Sequence, residues 1–174
     1  MNHFINALET SIQTENWYSV LFISLSLPDI CGKIDEPNEK SSKKRMINWF
    51  NKYLKSVYTR EIGADQTEYT FLSGADFYAL RCAYLHEGSD EITGQNAQET
   101  LEKFKFIQPS SNNFSMHRNV MNKTLQLQVS EFGKEILAAL RQWTEDNKDD
   151  QVKQEQISKL LNIQILDLSK GFSF

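Results

Sequence analysis

Two side chains in this sequence have types that together could hold an anion and move a proton. Arg81 and His86 are separated by four residues, near the end of the segment that runs from Leu72 to Gly88. A guanidinium presents planar paired donors that match phosphate oxygens and offset charge developing on them. An imidazole titrates near neutrality, so it can take or give a proton at a neighbouring hydroxyl.

The element that must hold them is a helix. Ser73-Gly74-Ala75-Asp76 matches a Ser-x-x-Asp start, and Gly88 stands where a helix stop is expected. Ala75, Ala79 and Ala83 form one narrow face for close approach of another helix, with bulk from Phe77, Leu80, Tyr84 and Leu85. Five residues at 100° each leave Arg81 and His86 about 140° apart. They converge only if the arginine reaches round, the helix end unwinds, or a second protomer contributes. The structural alternative is that His86 serves the helix end, where its charge meets the dipole favourably. Arg81 would then pair with Asp76, Glu87 or a carboxylate on a neighbouring helix.

Spacing alone is a weak signal; its place on a helix in a mostly helical chain strengthens it. The segment Tyr78-Ala79-Leu80-Arg81-Cys82-Ala83-Tyr84-Leu85-His86-Glu87-Gly88, with the earlier Leu27-Pro28-Asp29-Ile30-Cys31-Gly32, resembles uncharacterised bacterial and phage HEPN-like proteins. The resemblance covers about a fifth of the chain. It implies a HEPN-like helical bundle, a homodimer, and an Arg81–His86 pair at a cleft between protomers. It also implies RNA binding or cleavage of a defence, phage or toxin–antitoxin type, with a cognate regulatory protein as a possible partner. In that implied reaction Arg81 holds the scissile phosphate and His86 assists proton transfer as the RNA 2′-hydroxyl attacks it, leaving a cyclic 2′,3′-phosphate end without a metal; DNA has no such nucleophile. Active members of that family usually place Asn, Asp or His directly after the arginine. Here Cys82 fills that position and Glu87 follows the histidine, and a thiol is a weak substitute donor.

The remaining elements are read from periodicity. Phe4, Ile5, Leu8 and Ile12 give a helical stripe over 2–13. Thr14 is a candidate cap for a second helix from Trp17 to about Leu27, apolar on most sides and expected to be central; Pro28 and Gly32 punctuate it, though a helical turn could continue through Asp29-Ile30-Cys31. Ser41 or Ser42 starts a third, bearing Trp49, Phe50 and Tyr53, whose spacing suits packing better than base stacking. Residues 60–72 are ambiguous. Phe104–Ile107 and Thr124–Val129 alternate in the strand period and predict an antiparallel pair, with the turn-rich Pro109–Asn113 between them. Ser130 and Asn147 are candidate caps of a fifth and a sixth helix. Ile163–Leu168 reads as a last strand or a helix end.

Composition bounds the rest. The chain has 174 residues, 40% apolar and 24% charged, with only 7 glycines and 3 prolines. That fits one domain over 1–174, mainly α, with a small antiparallel β-hairpin insertion at roughly 102–129. No apolar run is long enough to span a membrane, and the N-terminal residues lack a signal-peptide pattern. A cytoplasmic protein with both cysteines reduced is expected. Net charge is −4, so RNA contact needs a local basic patch, for which Lys43, Lys44 and Arg45 are the candidates. Lys40, Lys52 and Lys55 flank them. His117-Arg118 and Lys123 fit either phosphate contact or an exposed polar loop. Glu87, Asp90, Glu91 and His117 match no ligand spacing, and neither a metal nor another cofactor is expected. The rival to the RNA reading is a catalytically inactive helical interaction or regulatory module, binding a protein partner or a nucleotide.

Overall fold

The helix starts follow from short polar side chains that accept the first free backbone N–H groups. In the computed structural model, which describes residues 1–110 and 115–163, Asn16 accepts from Ser19 N and Ser41 from Lys44 N. Ser73 accepts from Asp76 N and Asp150 from Lys153 N. The elements are α1 (Asn2–Gln13), α2 (Trp17–Asp35), α3 (Ser42–Tyr53), β1 (Thr59–Ile62), β2 (Thr67–Thr70), α4 (Gly74–Glu87), β3 (Lys103–Ile107), β4 (Asn119–Met121), β5 (Thr124–Gln128), α5 (Val129–Asp146) and α6 (Gln151–Ser158). The described chain is predominantly helical with a minor strand component. No helix in it is long and apolar enough to cross a membrane.

α2 is the central helix, packed against α1, α3 and α5. It continues through Pro28 and Gly32, both buried, instead of stopping there. Pro28 has no N–H for the Ser24 carbonyl. Burial of Leu25, Leu27, Cys31 and Ile34 in the core offsets that missing bond. Gly32 is needed for a close approach: a Cβ there would lie 2.9 Å from the Arg45 carbonyl oxygen of α3. α4 presents the alanine face to the bundle, with Ala79 and Ala83 fully buried. Phe50, Phe77 and Phe132 carry the core from α3 through α4 to α5.

Several caps differ from the expected ones. Thr14 closes α1, and Asn16 opens α2. α5 begins at Val129 behind Gln128, ahead of the Ser130 expected as its cap. Asn147 ends α5 and Asp150 starts α6. Asp76 does not return to Ser73. Its buried carboxylate accepts the backbone N–H groups of Glu99, Thr100 and Leu101, which ties the 88–102 loop to α4.

The expected strand pair exists but is parallel: Lys103–Ile107 runs alongside Thr124–Gln128 in register. The antiparallel neighbour of β5 is β4, joined by a tight turn at Asn122 and Lys123, both at positive φ. Strand order is therefore β3-β5-β4, with β5 central and Leu125 and Leu127 buried. Alternation identifies a strand without fixing its direction, and the three-residue β4 is too short to leave a periodic trace. The ambiguous 60–72 region holds a second, exposed hairpin of β1 and β2. Residues 111–113 of the turn-rich segment and 164–168 of the tail lie outside the described residues.

Candidate functional site

Arg81 and His86 meet. Arg81 Nη1 lies 3.0 Å from His86 Nε2, on a helix that stays α-helical through Glu87. The arginine therefore reaches round the helix; unwinding is not used. Gly88, in the left-handed conformation at φ 66°, ends the helix directly after the pair, and its N–H donates to the Tyr84 carbonyl. A guanidinium can only donate, so Nε2 accepts and carries no proton in this arrangement. That is the form an imidazole needs to take a proton.

The second partner comes from α2. Arg81 Nη2 donates to Asp29 Oδ2 at 3.0 Å, so the same guanidinium bridges a carboxylate on one helix and an imidazole on its own. Arg45 Nη2 stands 3.7 Å from Asp29 Oδ1, and its Nη1 donates to the Glu39 carbonyl. Side-chain exposures of 20% for Arg81, 19% for Asp29 and 11% for Arg45 place the cluster at the edge of the bundle, partly screened from water. Two guanidiniums against one carboxylate leave the cluster with one surplus positive charge. Asp29 Oδ1, Arg81 Nε and Arg45 Nε are buried without a protein hydrogen-bond partner among the described residues. Such unmet polar capacity is uncommon in a packed interior.

The expected basic patch divides. Arg45 turns inward to Asp29 and Glu39, whereas Lys44 is exposed and pairs with Glu39 at 3.5 Å. Lys43 is half-buried. Arg45 thus faces the bundle while Lys44 faces solvent, because successive helical residues point in different directions. Cys82 is a half-buried free thiol, and Cys31 is a free thiol in the core, raised by burial first and by Asp35 second. The neighbouring Tyr78 hydroxyl is 3.1 Å from Ser42 Oγ, linking α4 to α3 beside Arg81. Glu87 is exposed and accepts from Gln95.

His117 and Arg118 are neither an exposed loop nor beside Arg81. Gln128 N–H donates to His117 Nδ1 at 3.1 Å, which leaves Nε2–H to face Glu135 Oε1 at 2.9 Å. Arg118 lies 3.6 Å from the same carboxylate, and the buried Tyr58 hydroxyl donates to it. Burial and then the Glu135 charge push Tyr58 well above the ordinary phenol range. This is an internal brace between the sheet and α5. Trp49 and Phe50 are core residues, and Tyr53 is half-buried against them. Asp90 and Glu91 pair with Lys103. No group of three or more ligand-type side chains fit for a metal occurs among the described residues.

Asp29 is the site residue that sequence reasoning missed. It lay within the Leu27–Gly32 segment, but nothing in the local pattern tells that α4 sits opposite it. No protein-family model, curated protein or solved structure matches the chain.

Proposed function

We propose that this chain is a HEPN-like RNA-binding protein that cleaves RNA without a metal, through Arg81 and His86 at a cleft between two copies. The observation that carries the reading is the 3.0 Å contact between Arg81 and an acceptor Nε2 of His86 at the open end of one helix.

The chemistry follows from the two groups. Arg81 binds a non-bridging phosphate oxygen in exchange for its imidazole contact and offsets the charge that builds there. His86 Nε2, released, takes the proton of the 2′-hydroxyl. The 2′-oxygen–phosphorus bond forms as the bond to the 5′-oxygen breaks; that oxygen takes a proton from solvent water, and the proton on His86 is returned to solvent. Asp29 holds the far side of the guanidinium in place. The surplus positive charge of the cluster supplies local attraction for a polyanion that the acidic chain as a whole repels.

The test is incubation of the purified chain with mixed single-stranded and structured RNA in excess EDTA, with DNA of the same sequences beside it. Cleavage of RNA alone, leaving cyclic phosphate ends, is the expected result. Intact RNA with folded protein would favour the second reading, an inactive interaction module. The observation on that side is that Arg81 is already paired with Asp29 within the chain and that Cys82 stands where a stronger polar group is usual.

A further inference from the structure

The face of α2 that carries Asp29 extends well beyond it. Tyr18, Phe22, Ser26, Asp29 and Lys33 follow one another at spacings of three and four, which places them on one line along the helix. Tyr18 is 76% and Phe22 49% exposed, although α2 packs against α1, α3 and α5. Tyr84 of α4 stands against Phe22, ring centroids 5.1 Å apart and planes at 57°. Burial, and then the nearby Tyr18 phenol, push Tyr84 upward, and Tyr18 stands one helical turn from Phe22 on α2. Arg81 is one turn back along α4. The α2–α4 seam thus has an aromatic rung at Phe22–Tyr84 and a charged rung at Asp29–Arg81–His86.

Past Tyr18 the seam reaches an apolar recess of about 230 Å³, walled by Trp17, Phe106 and Val129 and including the Gln108 amide. A typical small-molecule site is about 300–1,000 Å³, so this recess suits one planar ring system. From Tyr18 to Asp29 is about 16 Å along the helix, the reach of a few nucleotides of unpaired strand.

We infer that the α2–α4 seam is a track for unpaired RNA, with bases stacked on Phe22, Tyr84 and Tyr18, one base in the Trp17–Phe106 recess, and the reacting phosphate at Arg81. This rests on the reading of Arg81 and His86 given above. Exposed aromatic rings accept any base face, and a row of them beside a cationic group is the arrangement by which proteins hold single strands. A duplex does not fit, because its bases are already stacked on one another. The second copy that completes the cleft at Arg81 and His86 is not what covers the rings: two part-exposed rings and one half-buried ring offer far less than the ~800 Å² per partner of a stable interface, and the same line carries Asp29 and Lys33.

The experiment uses the full chain carrying His86→Ala, so that bound RNA survives, and a short fluorescent RNA in EDTA at low salt. Binding is compared for unpaired, hairpin and abasic versions of that RNA, and again with Tyr18→Ala or Phe22→Ala added. Both positions are exposed, and the abasic RNA removes the stacking partner without touching the protein. The expected result is tighter binding of the unpaired RNA, and weakening of roughly 5- to 150-fold by either aromatic truncation or base removal. Equal binding throughout, with wild type still cleaving RNA, would overturn the track and leave the Arg81–His86 reading standing. Aromatic variants that turn a dimer into a monomer in sedimentation would overturn it in favour of a second copy on this face. Wild type that neither binds nor cleaves RNA would overturn both.

Discussion

Asp29 Oδ2 lies 3.0 Å from Arg81 Nη2, while the other terminal nitrogen of the same guanidinium meets His86 Nε2, also at 3.0 Å. The carboxylate and the imidazole come from different helices, so the orientation of Arg81 depends on how α2 and α4 pack. Asp29→Asn keeps the shape and removes the charge. We expect the RNA-cleavage kcat in EDTA to fall by ~10–100-fold, the scale set by small misplacements of a catalytic group. KM for RNA should stay level or drop, because the cluster becomes more positive. The melting temperature should fall as well, by an amount equivalent to about 1–3 kcal/mol for a lost charge-assisted bond. A reduced kcat with unchanged melting would assign Asp29 to positioning alone; an unchanged kcat would remove it from the site.

Gly32 sets the distance between α2 and α3 beside this cluster. Gly32→Ala would place its Cβ 2.9 Å from the Arg45 carbonyl oxygen and 3.0 Å from the carbonyl carbon, backbone atoms with little room to give. Overpacking of this kind costs about 1–3 kcal/mol. Denaturant unfolding should register that loss, and a midpoint equal to wild type would show that α3 shifts freely.

The Tyr58 hydroxyl is buried on Glu135, and burial followed by the carboxylate charge raises it well above its unfolded value. An unfolded tyrosine releases its proton near pH 10, whereas the folded one holds it. The stabilisation is therefore complete below about pH 10 and is lost as the pH rises beyond that toward the folded value. Burial first, and then Asp146 and Asp35, raise Tyr53 in the same direction. Stability measured against pH should fall steeply above pH ~10, and less steeply in Tyr58→Phe. Equal slopes for the two proteins would contradict the buried Tyr58–Glu135 bond.

The two thiols should react unequally. Cys31 is fully buried and its thiol is raised by that burial, whereas Cys82 is half-buried on α4. Thiolate is the reactive form, so a thiol reagent should label Cys82 first and Cys31 only on unfolding. Equal labelling of native protein would mean that α2 opens on the timescale of the reaction.

Much of the fold was legible in the sequence because local signals carried it. Ser41, Ser73 and Gly88 cap where their types predict, and the 2–13 stripe forms α1. What failed was what depends on distant partners. Asp76 has the sequence of a capping residue but serves a loop more than twenty residues away. β3 and β5 alternate as expected, yet their relative direction depends on a path through β4 that leaves no periodic signal. α2 passes through Pro28 because buried neighbours on α1, α3 and α5 outweigh a missing hydrogen bond. In the site, the types and spacing of Arg81 and His86 were visible and their contact was not, since it depends on an arginine rotamer. Asp29 was out of reach, because its role arises only where α2 crosses α4. The aromatic line of Tyr18 and Phe22 had helical spacing, but a helix apolar on most sides conceals which stripe is left uncovered.

The central claim is that Arg81 and His86 act as one unit on an RNA phosphate. Its most direct test is cleavage of single-stranded RNA in excess EDTA by wild type, Arg81→Ala and His86→Ala proteins of matched folded content. Cleavage by wild type alone, yielding cyclic 2′,3′-phosphate ends and abolished by either substitution, is the predicted result. Cleavage that survives His86→Ala in clean protein, or that never occurs in wild type, would contradict it.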